Sequence, residues 1–298
     1  MENVNEAVLV QRNDAPRGGA KARKITFLTL RYVVNIILSI LFVSPLLLMF
    51  LTAFNPIKAL DSQITSLGEF LPKTLSMSNL KEVFRRIPML RYMGNTLLYA
   101  LATVALVLVV NSLAGYALAK IPFRGRGAVI TAIVLLLTIP FEGITLTMFL
   151  VVNYLHLLNT PFAVILPSAM SCFYIFMFRQ FFSGIPDAVI EAAEIDGCKP
   201  LTIFFRIVIP MAVPVFVTVF ILEFFGKWSD YYWPLMVVYT NESLWNIQIA
   251  ITEFQIESEH YGQFMAALTV CTLPIIVLFL CLQKYYIQGI ATQGIKDM

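Results

Sequence analysis

The sequence predicts an all-α polytopic membrane protein with six spanning helices, on three observations. Of its 298 residues, 59% are hydrophobic and 13% charged, against roughly 45–50% apolar and about 25% charged in an ordinary soluble domain. Apolar runs of about 20 residues, enough to cross roughly 30 Å of hydrocarbon, recur along the chain. The basic residues crowd onto alternate connections, the bias that orients membrane proteins. A water-soluble domain fits this composition poorly, because the excess apolar surface must face something other than water.

Tyr32 to Phe54 and Tyr92 to Ala119 contain no charged residue. Between Arg126 and Arg179 the only charge is Glu142, and the stretch is too long for one span. His156, Asn159, Thr160 and Pro161 mark a turn that divides it into Gly127 to Val151 and Phe162 to Phe182. Ile207 to Phe225, with Glu223 near its end, and Phe264 to Gln283 complete the set. Pro140, Pro167, Pro210 and Pro214 mark kinks or helix ends in or beside these spans. The tail before Lys24 is polar and is expected to be disordered. With no cleavable signal peptide expected, the first apolar run stays as an anchor.

An even number of spans puts both termini on one side. The N-terminal segment carries Arg12, Arg17, Lys21, Arg23, Lys24 and Arg31; the second connection has Lys120, Arg124 and Arg126; the fourth has Arg179, Lys199 and Arg206; Lys284 and Lys296 follow the last span. That side is predicted to be cytoplasmic. The loop from Asn55 to Arg91 is an exception, with Lys58, Lys73, Lys81, Arg85, Arg86 and Arg91, although its length and its acids weaken it as a counterexample. The net charge of +3 is too balanced to indicate a nucleic-acid partner.

The chain carries no machinery for chemistry of its own. Walker A, GxGxxG, HExxH and GxSxG patterns are missing from the sequence. Cys172, Cys198, Cys271 and Cys281 form no CxxC pair and indicate neither a disulfide framework nor a metal site. No enzymatic activity, cofactor or metal is therefore expected, and any energy for work must come from outside the chain.

The loop between the fourth and fifth spans is more than a connection. Pro186 suits a first helical turn, Asp187 and Glu191 sit where the positive helix end favours carboxylates, and Gly197 followed by Pro200 supplies a stop. A helix of about three turns, roughly 16 Å long, is predicted, with Val189, Ile190, Ala193 and Gly197 as its apolar stripe. Such a helix could lie on lipid headgroups, but interfacial helices favour Lys and Arg. This one has four acids and no base before Lys199, which favours a protein partner.

The run Glu191-Ala192-Ala193-Glu194-Ile195-Asp196-Gly197, continued by Ile207-Val208-Ile209-Pro210, resembles the EAA loop of ABC importer permeases. Leu158-Asn159-Thr160, Ile165-Leu166-Pro167-Ser168, Phe178-Arg179-Gln180-Phe181-Phe182, Trp228 through Leu235 and Gln283 through Gly289 are similar to the carbohydrate-importer branch, in particular the smaller permease of maltose-type systems. Ile209 replaces the usual Leu before Pro210. The resemblance runs nearly unbroken from about Tyr92 to the end.

It implies the type I ABC importer permease fold, with a cytoplasmic tail at 1–24, a permease domain at 25–298, a core module at about 92–283 and a coupling loop at 183–210. It also implies partners: a second homologous permease, two ATPase subunits and an extracytoplasmic solute-binding protein, in the cell membrane. The cargo it implies is a sugar or oligosaccharide. In this family the loop docks in a groove of the ATPase, which assigns that role to Glu191, Ala192, Ala193 and Gly197, with Asp196 and Pro210 as cap and helix-shape residues.

An ionisable group in a bilayer costs roughly 2.5–3.5 kcal/mol on insertion scales and normally faces a cavity or a partner. Glu142 and Glu223 are the two such groups and are candidates for the substrate pathway; a purely structural role stays open for each. Asn111 is a third candidate, with interhelical hydrogen bonding as its default role, as for Ser112. Trp228, Tyr231, Tyr232 and Trp233 could contact a sugar face or form an interfacial aromatic belt, the belt being the default. The rival function is an ion-coupled secondary transporter of a small polar solute, opposed by the scarcity of intramembrane carboxylates and the lack of a visible inverted repeat. A membrane enzyme is opposed by the missing His/Asp/Cys constellations.

Overall fold

The computed structural model describes residues 17–56, 74–257 and 260–294. Of the tail before Lys24, expected to be disordered, residues 1–16 lie outside these residues, as does much of the Asn55 to Arg91 loop, whereas residues 17–23 are helical. Helix α1 (Arg17–Ala53) begins earlier than the predicted span: Gly18 and Gly19 are poor helix formers, but they lie in its first turn, and Ala20, Lys21, Ala22 and Arg23 after them favour the helix. The short helix α2 (Ser78–Arg86) is pinned to the end of α1 by the buried Asn79, whose Nδ2 donates to the carbonyls of Asn55 (2.7 Å) and Ala53 (3.2 Å).

Helix α3 (Met89–Lys120) is the second predicted span with three residues added at its start and one at its end. The third span breaks into α4 (Arg126–Leu136) and α5 (Phe141–Tyr154). Pro140, which lacks the N–H needed to continue the ladder, stands at the start of α5. The fourth becomes α6 (Pro161–Ile165), a turn at Leu166–Ser168 holding Pro167, and α7 (Cys172–Ser183), bent by 44°. After α8 (Asp187–Ile195) the fifth comprises α9 (Pro200–Ile203), a wide π-type turn at Phe204–Val208, α10 (Ile209–Met211) and α11 (Val213–Trp228). It bends by 80° before α11, between Pro210 and Pro214. Two shorter helices, α12 (Tyr232–Val238) and α13 (Ile247–Glu257), precede α14 (Tyr261–Gly294), which contains the last span.

The six predicted spans thus correspond to three unbroken helices long and apolar enough to cross a membrane, two bent pairs, and the α4/α5 pair. That last pair corrects the simple count: α4 and α5 have only 11 and 14 residues. Prolines and local turns divide the apolar runs without changing their composition, so a hydropathy reading counts the runs and misses the bends.

Helix α3 is the spine. Three buried clusters meet it along its length: Tyr92 and Val104 with Trp228, Phe254 and Ala266; Tyr99 with Ala163, Trp233 and Ile249; and Val107 and Tyr116 with Phe178, Phe182 and Phe204. α3 lies so close to α7 that a Cβ on Gly115 would meet the Phe178 Cβ at 2.6 Å and the Arg179 backbone nitrogen at 2.9 Å. Ser112, Gly115 and Ala119 form a stripe of small residues along α3, the usual means by which membrane helices approach this closely. The outward side chains of α1 and many of α4 and α5 are exposed apolar groups, as a chain immersed in lipid or against another subunit requires.

Candidate functional site: the loop helix and its seat

α8 is shorter than predicted, nine residues or about 14 Å. Extended Pro186 precedes it, and Asp187 occupies its first turn. Its end is a complete left-handed cap: the Cys198 N–H donates to the Ala193 carbonyl (3.0 Å) and the Gly197 N–H to the Glu194 carbonyl (2.9 Å), with Gly197 at φ +81°. This pair of bonds satisfies carbonyls that the helix end would otherwise leave open. A side chain at 197 would meet nothing within 4 Å, so the need for glycine is set by backbone conformation alone.

The helix rests on an aromatic triangle. Tyr116 of α3, Phe182 of α7 and Phe204 of the π-type turn have ring centroids 5.1 Å (Tyr116–Phe204), 6.4 Å (Tyr116–Phe182) and 6.3 Å (Phe182–Phe204) apart. Such contacts are worth about 0.5–1.5 kcal/mol each beyond the area they bury. Ile190 and Ala193 are buried in the same cluster, and the Ile190 side chain adds about 1.5–3 kcal/mol. Sequence reasoning placed Ala193 with Glu191, Ala192 and Gly197 on one docking surface. In the fold Ala193 turns inward to the bundle, where its small side chain suits a close seat, while Glu191, Ala192, Glu194, Asp196 and Gly197 are exposed. Val189 and Gly197, expected in the apolar stripe, are also exposed. Asp196 ends α8 directly before the glycine, and Pro210 stands two residues before the bend at Ala212.

Three features escaped the sequence reading. Ile195 is 86% exposed beside the acids, a bare apolar group on a polar helix. The triangle joins residues far apart in the chain and has no local signature. Lys120, counted only as a topogenic charge, reaches Asp187 at 2.6 Å and holds its carboxyl below the ordinary carboxylate range.

The pathway candidates occupy different surroundings. Asn111 is fully buried and spends its amide on backbone: Nδ2 donates to the carbonyls of Val107 (2.7 Å) and Ala169 (2.9 Å), and Oδ1 accepts from the Ser171 N–H (2.8 Å). It thereby secures the break before α7, the interhelical role expected by default. Glu223 is 8% exposed, beside Tyr174, with its Oε1 lacking a hydrogen-bond partner. Glu142 stands exposed in the first turn of α5. Trp228 and Trp233 correct the belt expectation: both are buried, and their indoles donate to the carbonyls of Cys271 (3.2 Å) and Ala163 (2.9 Å). They anchor helices, whereas Tyr232 is exposed.

Residues 111–292, more than half of the chain, match the family model described as the binding-protein-dependent transport system inner membrane component. The chain belongs to this family. The permease is 33% identical over 257 residues to the arabinooligosaccharides transport system permease protein AraQ of Halalkalibacterium halodurans, covering 85% of this chain and 91% of the relative. It is 32% identical over 216 residues to the lactose transport system permease protein LacG of Rhizobium radiobacter, covering 72% and 79%. A chain from the crystal structure of a bacterial ABC transporter involved in the import of the acidic polysaccharide alginate superposes with a TM-score of 0.77 at 22% identity, covering 89% of the permease and 98% of that chain. The fold is thus that of an ABC importer permease, and the permease is a multi-pass membrane component of a transport system.

Proposed function

We propose that this permease forms, with a second homologous permease, the pathway for a sugar or oligosaccharide delivered by an extracytoplasmic solute-binding protein. Two separate ATPase subunits drive it by gripping α8, and both termini are cytoplasmic. The observation that carries this reading is the two-sided character of α8. Its Ile190 and Ala193 are seated in the bundle, while Glu191, Ala192, Asp196 and the bare Ile195 face outward from a helix closed by Gly197. A surface that combines acids, a small residue and one exposed isoleucine suits a protein groove with basic residues better than an anionic lipid surface. The oligosaccharide cargo is supported by relatives whose names specify arabinooligosaccharides and lactose. Glu142 is assigned to the pathway or to the partner permease, since an exposed carboxylate within an apolar span is costly against lipid.

The test is uptake by vesicles containing both permeases and both ATPases. Uptake should follow ATP and not a proton gradient. Glu191→Lys should lower transport-linked hydrolysis by about tenfold or more, the loss of a charge-assisted contact compounded by repulsion, with membrane insertion unchanged. Normal stimulated hydrolysis in that variant, or uptake by this chain alone under a proton gradient, would refute the proposal.

A further inference from the structure

Helices α3 and α8 meet at oppositely charged ends. Lys120 is the last residue of α3 and Asp187 the first of α8. A lysine in a last helical turn usually keeps its head in water beside its own helix's carbonyls. The Lys120 side chain is only 5% exposed, and its Nζ donates to the Ile185 carbonyl (2.5 Å) and to Asp187 Oδ1 (2.6 Å). The negative end of α3 favours the ammonium and the positive end of α8 favours the carboxylate, so both helix ends support the pair. Arg126 Nη2 donates to the Ala119 carbonyl (2.8 Å) and steadies the same turn of α3.

Among the described residues, no other side-chain hydrogen bond or ion pair holds residues 187–195. The connection to α7 is residues 184–186, and the connection to α9 passes through Gly197. Apart from the shared apolar cluster, Lys120 is therefore the one directed tie from α8 to the bundle among these residues. Because the Asp187 side chain is 77% exposed, the stronger half of the tie is the grip on the Ile185 carbonyl.

We propose that Lys120 is a positioning residue of the transport cycle: by holding both Ile185 and Asp187 it stiffens residues 184–186 and fixes the start of α8 to α3, so that movement of the docked α8 reaches the spine of the bundle. This rests on the docking role proposed above for α8. The complete complex, both permeases with both ATPases in vesicles supplied with binding protein, is assayed for solute moved per ATP hydrolysed. Lys120→Met strands the Ile185 carbonyl and should shift the balance between anchored and loose α8 by roughly five- to a hundredfold, so that the ratio falls by at most that factor. Hydrolysis and the yield of assembled complex should persist. Lys120→Arg should restore the ratio to within about twofold, and Asp187→Asn should lower it by less than about fivefold. Should Lys120→Met fail to assemble, Lys120→Ser, too short to reach Ile185, takes its place.

An unchanged ratio in Met or Ser overturns the proposal, as does a proportionate fall of transport and hydrolysis, which signifies only a loss of folded protein. If the ratio is unchanged while Glu191→Lys still suppresses hydrolysis, the tie falls and the docking stands. Normal hydrolysis in Glu191→Lys removes the docking itself.

Discussion

Gly197 offers a graded test of the loop, because the backbone alone decides what it tolerates. At φ +81° an L side chain is strained, and the space around a Cβ at 197 is open, so Gly197→Ala carries backbone strain of about 1–2 kcal/mol and no clash. That lowers the ratio of capped to uncapped loop by roughly 5- to 30-fold. Asn enters the left-handed region more readily and should cost less than Ala. Pro is the severe member. It fixes φ near −65°, removes the N–H that bonds to the Glu194 carbonyl at 2.9 Å, and disfavours the compact conformation of Asp196 (φ −70°, ψ 2°). Together these exceed about 3 kcal/mol. Substrate-stimulated ATP hydrolysis by the reconstituted complex should therefore fall in the order Gly, Asn, Ala, Pro, with Pro inactive. Ala matching Pro, or Asn falling below Ala, would refute a conformational role for the glycine, and a Pro variant at native rate would remove this loop end from the mechanism.

Three further outcomes follow from the same geometry. Gly115→Ala should destabilise the detergent-solubilised permease by about 1–3 kcal/mol, because two of its three contacts, the Arg179 nitrogen and the Ile175 carbonyl at 3.2 Å, are backbone and cannot rotate aside; a denaturant midpoint equal to native would show that α3 and α7 can part freely. Asn111→Ala should cost about 1–3 kcal/mol in the same assay by stranding the Ser171 N–H and the Ala169 carbonyl, and an unchanged midpoint would count against the clamp. On α2, hydrogen bonds from Arg85 and then Arg86 hold the Glu82 carboxyl at about 2, below its ordinary 4.5. A depressed value means that this contribution is complete above pH 4.5 and is lost as pH falls through about 2, so isotope-edited infrared should place the midpoint near the lower value; a midpoint at 4.5 would show that the ion pairs do not persist.

Much of this architecture was legible from local patterns. Apolar runs located the spans because lipid removes the alternation that water imposes on a soluble helix. Pro140, Pro167, Pro210 and Pro214 foretold the breaks, since a missing N–H acts on its own helix. Pro186, Asp187 and Gly197 outlined α8 for the same reason: caps and turns are made by neighbours in sequence. The bends themselves, 44° and 80°, needed the packed bundle.

By itself, then, the sequence determined that the chain lives in a bilayer, where its apolar runs lie, and which connecting segment forms a capped helix. These depend on composition and on contacts spanning a few residues. Only the tertiary structure decided that Ala193 faces the bundle while Ile195 is bare, that Trp228 and Trp233 are anchors, that Asn111 is a clamp, and that Lys120 grips Ile185. Each of these depends on which distant helix lies alongside. That is set by the close approach of α3 and α7 at Gly115 and by rings brought together from three elements, and no sequence periodicity encodes such meetings.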